Sequence, residues 1–297
     1  MDLISADVES QYARDKNLKK GDIEALLEWA NKQTHLPKIN ELQAILFLHS
    51  CYYRNEAAKV TIDNFFTVKT TSDLFRNRDP LSAPVQNATS ATLCTRLSKK
   101  TPKGYIVYLF KLIDTNPSNF NFENIVRYAD MVNTLERYQY GISTGLVILL
   151  DMTGWSLGHT ARLGPLALKT FFFYLQEAVP VRLKEIHFHN AGPFINTLMN
   201  LLKPLLNKAT AEKISIHQSL DSLTKFIPLE CLPEDYGGSE QSIFALHAKI
   251  KKDLLENKAL YEWEETLILD EKKRQSGKSK TIDTYGADGT FKKLELD

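Results

Sequence analysis

The apolar positions of this chain recur first at a helical period and then in short continuous runs. From Gly21 to about Lys69 the stripes are Ile23, Leu26, Leu27 and Ala30, then Leu42, Ile45 and Leu46 with His49, then Ala57, Val60, Phe65 and Val68. The breaker His35-Leu36-Pro37 separates the first stripe from the second, and Asp22 is placed to cap the first helix. The pattern predicts a three-helix unit, residues 1–85, closed by the turn-rich stretch Arg76 to Asn87 with Pro80 and Pro84.

Beyond residue 86 the period changes. The runs Gly104–Leu112 (GYIVYLFKL), Gly145–Asp151 (GLVILLD), Glu185–His189 (EIHFH) and Ile214–His217 have the length and aliphatic content of buried strands. Helical patterns fill 121–140, 164–178 and 193–206 between them. Strands alternating with helices predict an α/β domain with a mainly parallel sheet over residues 86–245. A further helix is expected from Ile243 to Lys258 in a C-terminal part, 246–297, whose polar stretch KKRQSGKSK lacks periodicity and is expected to be mobile.

Charge narrows the partners. Lys+Arg number 37 against 36 Asp+Glu, a net charge of +1, so nucleic acid is not an expected partner and any basic site must be local. No stretch approaches the ~20 apolar residues that span a bilayer, and Met1 to Gln11 lacks a secretory pattern, so an intracellular, soluble protein is expected. Cys51, Cys94 and Cys231, odd in number and far apart, fit reduced thiols.

Catalytic patterns fail on context. Gly141-Ile142-Ser143-Thr144-Gly145 matches G-x-S-x-G, but a helix precedes and a strand follows, the reverse of a nucleophile elbow. Gly277-Lys278-Ser279 ends like a P-loop, yet the first glycine is replaced by Lys272 and no strand comes before it. His187 and His189 share a strand face without a third ligand to complete a metal site, and nothing brings Asp151 to Glu177. No catalytic residue, metal or cofactor is assigned, and the chain is not expected to be an enzyme.

The segment Pro193 to Leu206 (PFINTLMNLLKPLL) is the strongest positive signal. Phe194, Ile195, Leu198, Met199, Leu201, Leu202, Leu205 and Leu206 form an apolar arc wider than one packing face. The helix is either wholly buried, or one side of it meets something other than protein.

Several spaced strings resemble the CRAL-TRIO lipid-binding family. They are Asp151-Met152-Thr153-Gly154-Trp155, then Gln176 to His189 (QEAVPVRLKEIHFH), then Lys203-Pro204-Leu205-Leu206, then Leu232 to Gly238 (LPEDYGG). The helical unit, with Trp29, Leu36-Pro37 and Phe47-Leu48, is similar to that family's N-terminal domain, so the likeness runs from about Ile23 to Phe244. It implies a sheet flooring a hydrophobic cavity under a helical lid, here Pro193 to Ile214. The implied function is to hold one lipid, such as a retinoid, a tocopherol, another isoprenoid or a phospholipid, as cargo and deliver it between membranes. The protein would then be cytoplasmic, with transient membrane association.

Carried over residue by residue, the resemblance puts Ile125, Tyr128 and Val132 on a wall helix and Leu146, Ile148 and Leu150 on the floor. It puts Tyr174 and Val179 on the next helix, and Ile186, Phe194, Leu198, Leu201, Leu202 and Leu206 in the wall and gate. Where a tocopherol-carrying member has small hydroxyl residues, this chain has Tyr128 and Val132, a bulkier lining in which the Tyr128 hydroxyl is a donor for a ligand oxygen. The family's phosphoinositide headgroup cleft maps onto Arg182, Lys184 and Lys213, with Lys208 beside a lost basic position at Ala209, and with His49 replacing an arginine of the helical domain. An alternative to the carrier is therefore a phospholipid or phosphoinositide exchanger that docks on membranes.

Overall fold

The computed structural model describes residues 3–275. Its helical layer opens with α1 (Val8–Arg14), which Asp7 caps by accepting from the Ser10 amide at 2.7 Å. Then come α2 (Lys20–Lys32), α3 (Glu41–Ser50) and α4 (Asn55–Thr71), the three stripes of the sequence. Asp22 is not the cap of α2. The helix begins at Lys20, and Asp22 lies in its first turn, where its charge still favours the N-terminus. Asn40 and Gln43 close a reciprocal capping box at α3, which is buried on every side from Leu42 to His49 and forms the centre of the layer.

The turn-rich stretch contains α5 (Ala83–Ala91), started by Pro84 in its first turn. The sheet follows: β1 (Thr92–Arg96), β2 (Ile106–Leu112), β3 (Leu146–Asp151), β4 (Leu183–His189) and β5 (Ile214–His217), in the spatial order of the chain. β1 runs antiparallel to β2, and the other pairs are parallel. The parallel connections carry α6 (Phe122–Tyr140), then a short α7 (Leu157–Thr160) and α8 (Pro165–Phe173), then α9 (Ile195–Leu202) and a short α10 (Lys208–Ala211). Because the strands advance in one direction and such crossovers are right-handed, α6, α8 and α9 belong on one face of the sheet.

The opposite face is covered by the segment after β5. There Phe226, just past α11 (Leu220–Leu223), packs tilted against His187 and edge-on against His217, with ring centroids 5.0 and 5.5 Å apart, and the Tyr236 hydroxyl donates to Asp151 at 2.5 Å. The chain ends its described part with α12 (Ile243–Glu256), packed along β1, and α13 (Lys258–Glu265), which returns to the helical layer. The P-loop-like Gly277-Lys278-Ser279 and most of the polar C-terminal stretch lie outside the described residues.

A buried ionic cluster fastens these parts. Lys69 of α4 reaches Asp130 of α6 at 2.6 Å and Glu264 of α13 at 3.1 Å, and Arg78 bridges the same two carboxylates. The Tyr174 hydroxyl donates to Asp130 at 2.7 Å. Burial opposes the Glu264 carboxylate, but Lys69, Arg78 and Arg137 outweigh it and hold its pKa far below the usual range. Burial, helped by Arg78, depresses the Lys69 ammonium.

Candidate functional site

Strand register decides what each face of the sheet presents. Tyr108, Ile148, Ile186 and Ile214 stand side by side in one row, and Phe110, Leu150, Phe188 and Ile216 in the next, all on one face. Leu146 and Tyr108 line one cleft with residues of α6, which identifies this apolar face as the one beneath α6, α8 and α9. Such a face normally disappears under helices. Here Ile148 and Leu150 of the central strand stay only half-buried, as do Phe110 and Ile214, and Ile216 is 43% exposed.

The roof crosses this floor from one edge of the sheet to the other. α9 leaves the C-terminal end of β4, buries Leu198, Met199 and Leu202 inward, and keeps Leu201, Leu205 and Leu206 half-buried, while Phe194 at its start is exposed. Gln176 ties the returning segment to the turn after α8, donating to Leu205 O at 3.0 Å and accepting from the Asn207 amide at 2.7 Å.

Of the residues expected at the cavity, Ile148, Leu150 and Ile186 stand on the floor, and Leu198, Leu201, Leu202 and Leu206 belong to the roof. Others are committed elsewhere. The Tyr128 hydroxyl donates to Cys94 O at 3.1 Å and accepts from Cys94 N at 3.3 Å in a fully buried position, so its one O–H is spent on the backbone and is not there for a ligand oxygen. Tyr174 points into the ionic cluster and packs against Phe75 at 4.2 Å. Leu146 lines the cleft at the opposite end of β3 from Asp151. Ile125, Val132 and Val179 are buried core positions.

The basic residues gather at the N-terminal edge of the sheet. Arg182 and Lys184 flank the start of β4, and Lys213 precedes β5 beside it, since the Ile186 amide donates to Lys213 O at 2.9 Å. Arg182 donates through Nε to His49 O at 2.8 Å and lies over the Tyr52 ring at 4.4 Å, while Lys184 Nζ donates to the Tyr52 hydroxyl at 2.8 Å. Lys208 projects into solvent from α10, 3.9 Å from Glu212. Burial, reinforced by Arg182, pushes His49 down to about 4, so the family's arginine position holds a neutral imidazole at pH 7.

The polar face holds what the sequence did not show. Its histidine pairing is His187 with His217 of the neighbouring strand, 2.8 Å apart, rather than His187 with His189. Glu185 accepts from His187 Nε2 at 3.1 Å, which leaves His187 Nδ1 as the acceptor for His217, and His217 Nδ1 as the acceptor for Ser222 at 2.8 Å. Asp151 is separate from Glu177. Burial opposes its ionisation, yet Lys111, Thr153 and Tyr236 hold its pKa down at about 2. Ser143 sits in the loop between α6 and β3, helix before and strand after.

The comparisons agree with the fold. Residues 91–238 match the CRAL/TRIO domain and residues 15–85 the Pinta-like UBA domain, and the chain belongs to the CRAL/TRIO family. It is 24% identical over 224 residues to the alpha-tocopherol transfer protein-like protein of Homo sapiens, covering 73% of this chain and 65% of that relative. Clavesin-1 of Xenopus laevis is 25% identical over 170 residues, covering 56% and 51%. The crystal structure of Sfh5 superposes with a TM-score of 0.51 at 12% identity, over 82% of this chain and 92% of that one, a likeness of fold. The match thus spans just under two thirds, 65%, of the first of these relatives. Among the described residues no helix is long and apolar enough to cross a membrane.

Proposed function

We propose that this chain holds one hydrophobic small molecule between the apolar face of its sheet and the roof formed by α8 and α9, and carries it between membranes. The observation that carries this reading is the incomplete burial of Ile148 and Leu150 at the centre of the sheet. A ligand lying there withdraws apolar surface from water at about 25 cal/mol per Å². A retinoid, tocopherol-like or other isoprenoid molecule suits the two rows of aliphatic and aromatic side chains, and the relative named alpha-tocopherol transfer protein-like supports that class. The lipid is cargo rather than cofactor, and the working place is the cytoplasm with transient membrane contact. The test is native mass spectrometry of gently purified protein, with extraction of what it carries. Leu202→Asp, on the buried side of α9, is expected to lose the cargo while circular dichroism keeps its helical signal; wild-type occupancy in that variant would refute the placement of the site.

A second reading, a phospholipid or phosphoinositide exchanger, is favoured by the convergence of Arg182, Lys184 and Lys213 on the edge where the roof segment returns, with Lys208 exposed nearby. It predicts docking on phosphoinositide vesicles that weakens steeply with salt.

A further inference from the structure

Three histidines stand together on the covered polar face of the sheet, where the proposed cargo site makes no use of them. Strand parity points His187 and His189 of β4 to this face, and register sets His189 beside His217 of the edge strand β5. All three are buried. The segment after β5 lies over them: the Ser222 hydroxyl donates to His217, Phe226 packs against His187 and His217, and the Tyr236 ring stands 6.1 Å from that of His189.

Among the described residues, the charged and titratable groups facing the three rings come from four elements. Glu185 on β4 accepts from His187 and is paired with Lys103, from the turn before β2, at 2.7 Å. Asp151 on β3 faces His189, is paired with Lys111 of β2, and accepts from the Tyr236 hydroxyl of the covering segment. Each carboxylate thus has its lysine already, and no negative charge is spare for an imidazolium. His189 Nδ1 is buried without a hydrogen-bond partner among the described residues. Burial lowers the pKa of all three imidazoles, and for His217 the neighbouring His187 and His189 lower it further.

The hydrogen bonds run one way, from Ser222 through His217 and His187 to Glu185, and each ring uses one N–H and one lone pair. One proton fits this chain, because the Ser222 hydroxyl can turn and accept from a charged His217. A second does not fit. His187 Nδ1 and His217 Nε2, 2.8 Å apart, would then both be donors on like charges with no acceptor between them. We propose that these histidines form an acid-released latch: at neutral pH the His187–His217 bond clasps β5 and the segment after it to β4, and protonation of both rings frees that edge. β5 is hydrogen-bonded into the sheet by β4 alone, so nothing on its other side holds it in place once the clasp opens. It carries Ile214 and Ile216 of the apolar floor; a link from the latch to cargo release rests on the carrier reading, and the latch itself does not.

Because burial holds the folded-state values below the unfolded value of about 6.5, the latch is intact above about pH 6.5 and is lost as pH falls below it. The test is amide hydrogen exchange of the full chain at about pH 7.5 and about pH 5, on either side of that value, read peptide by peptide after correction for intrinsic rates. Protection over residues 214–226 is expected to fall at least about tenfold at the lower pH while β2 and β3 keep theirs, since the opened pair takes up protons that the closed pair refuses. His217→Gln keeps a donor toward His187 and an acceptor for Ser222 but cannot become charged, and it should abolish most of this acid loss. His49→Gln should leave the loss unchanged, which separates the latch from the titration of the helical layer. Undiminished protection of 214–226 in the wild type at the lower pH overturns the proposal without any variant. Acid loss that spreads equally over β2 and β3, or that persists in full in His217→Gln, overturns it too. Should His217→Gln fail to fold, His187→Gln carries the same comparison with the same required outcome.

Discussion

Two regions of this molecule invert the usual order of protein interiors. Around Lys69, Arg78, Asp130 and Glu264 the side chains of four ionisable groups are between 1% and 6% exposed, while the apolar centre of the sheet, at Ile148 and Leu150, stays half-open. Charged groups are ordinarily the last to be buried, and a contiguous apolar face the first. The difference separates fastening from function. The cluster ties α4, the segment after it, α6 and α13 together through paired charges, and it is closed. The floor has every means to be packed, and the described residues leave it incompletely covered.

The comparison breaks most severely at the cluster. Arg78→Met leaves the two buried carboxylates Asp130 and Glu264 with Lys69 as their one remaining shared cation, and the expected loss is about 3–5 kcal/mol of unfolding free energy, measured by urea denaturation. A second fastening titrates. His49 has a folded pKa of about 4 against roughly 6.5 unfolded, so its contribution is present above about pH 6.5 and is lost as pH falls toward 4. The wild type should lose about 3 kcal/mol more over that window than His49→Gln, as read from denaturation midpoints at each pH. The sheet supplies the finest contrast. Leu149→Ala, on the packed face, should cost about 2–4 kcal/mol, whereas Leu150→Ala, one residue on and on the open face, should cost roughly 1 kcal/mol in delipidated protein. Equal costs would mean that the floor is packed after all.

Much of this was legible in the chain. Continuous apolar runs located β2 to β5, and the helical stripes located α2, α3, α4, α6, α8 and α9. β1 was not visible, because Thr92-Leu93-Cys94-Thr95-Arg96 has too few apolar residues for a run and owes its strand to antiparallel pairing with β2. Ile148, Leu150 and Ile186 came from the family resemblance, and strand register adds Phe110, Phe188 and Ile214 to the same face. Tyr128 and Tyr174 misled because what takes their hydroxyls, Cys94 and Asp130, lies 34 and 44 residues away.

The strictly sequential strand order has a consequence for how the molecule is made. Each new strand joins the edge left by the one before, so the sheet can grow as the chain emerges. The floor, however, starts with β2 and is completed only by β5, roughly a hundred residues later. At about 5–20 residues per second its first strand waits on the order of 5–20 s for the last. α13, which brings Glu264 to Arg78, arrives later still, so the first helices to be synthesised are among the last to be locked. During that interval the nascent chain displays the apolar rows of its floor, so how long they stay open is set by the pace of synthesis as well as by the finished fold.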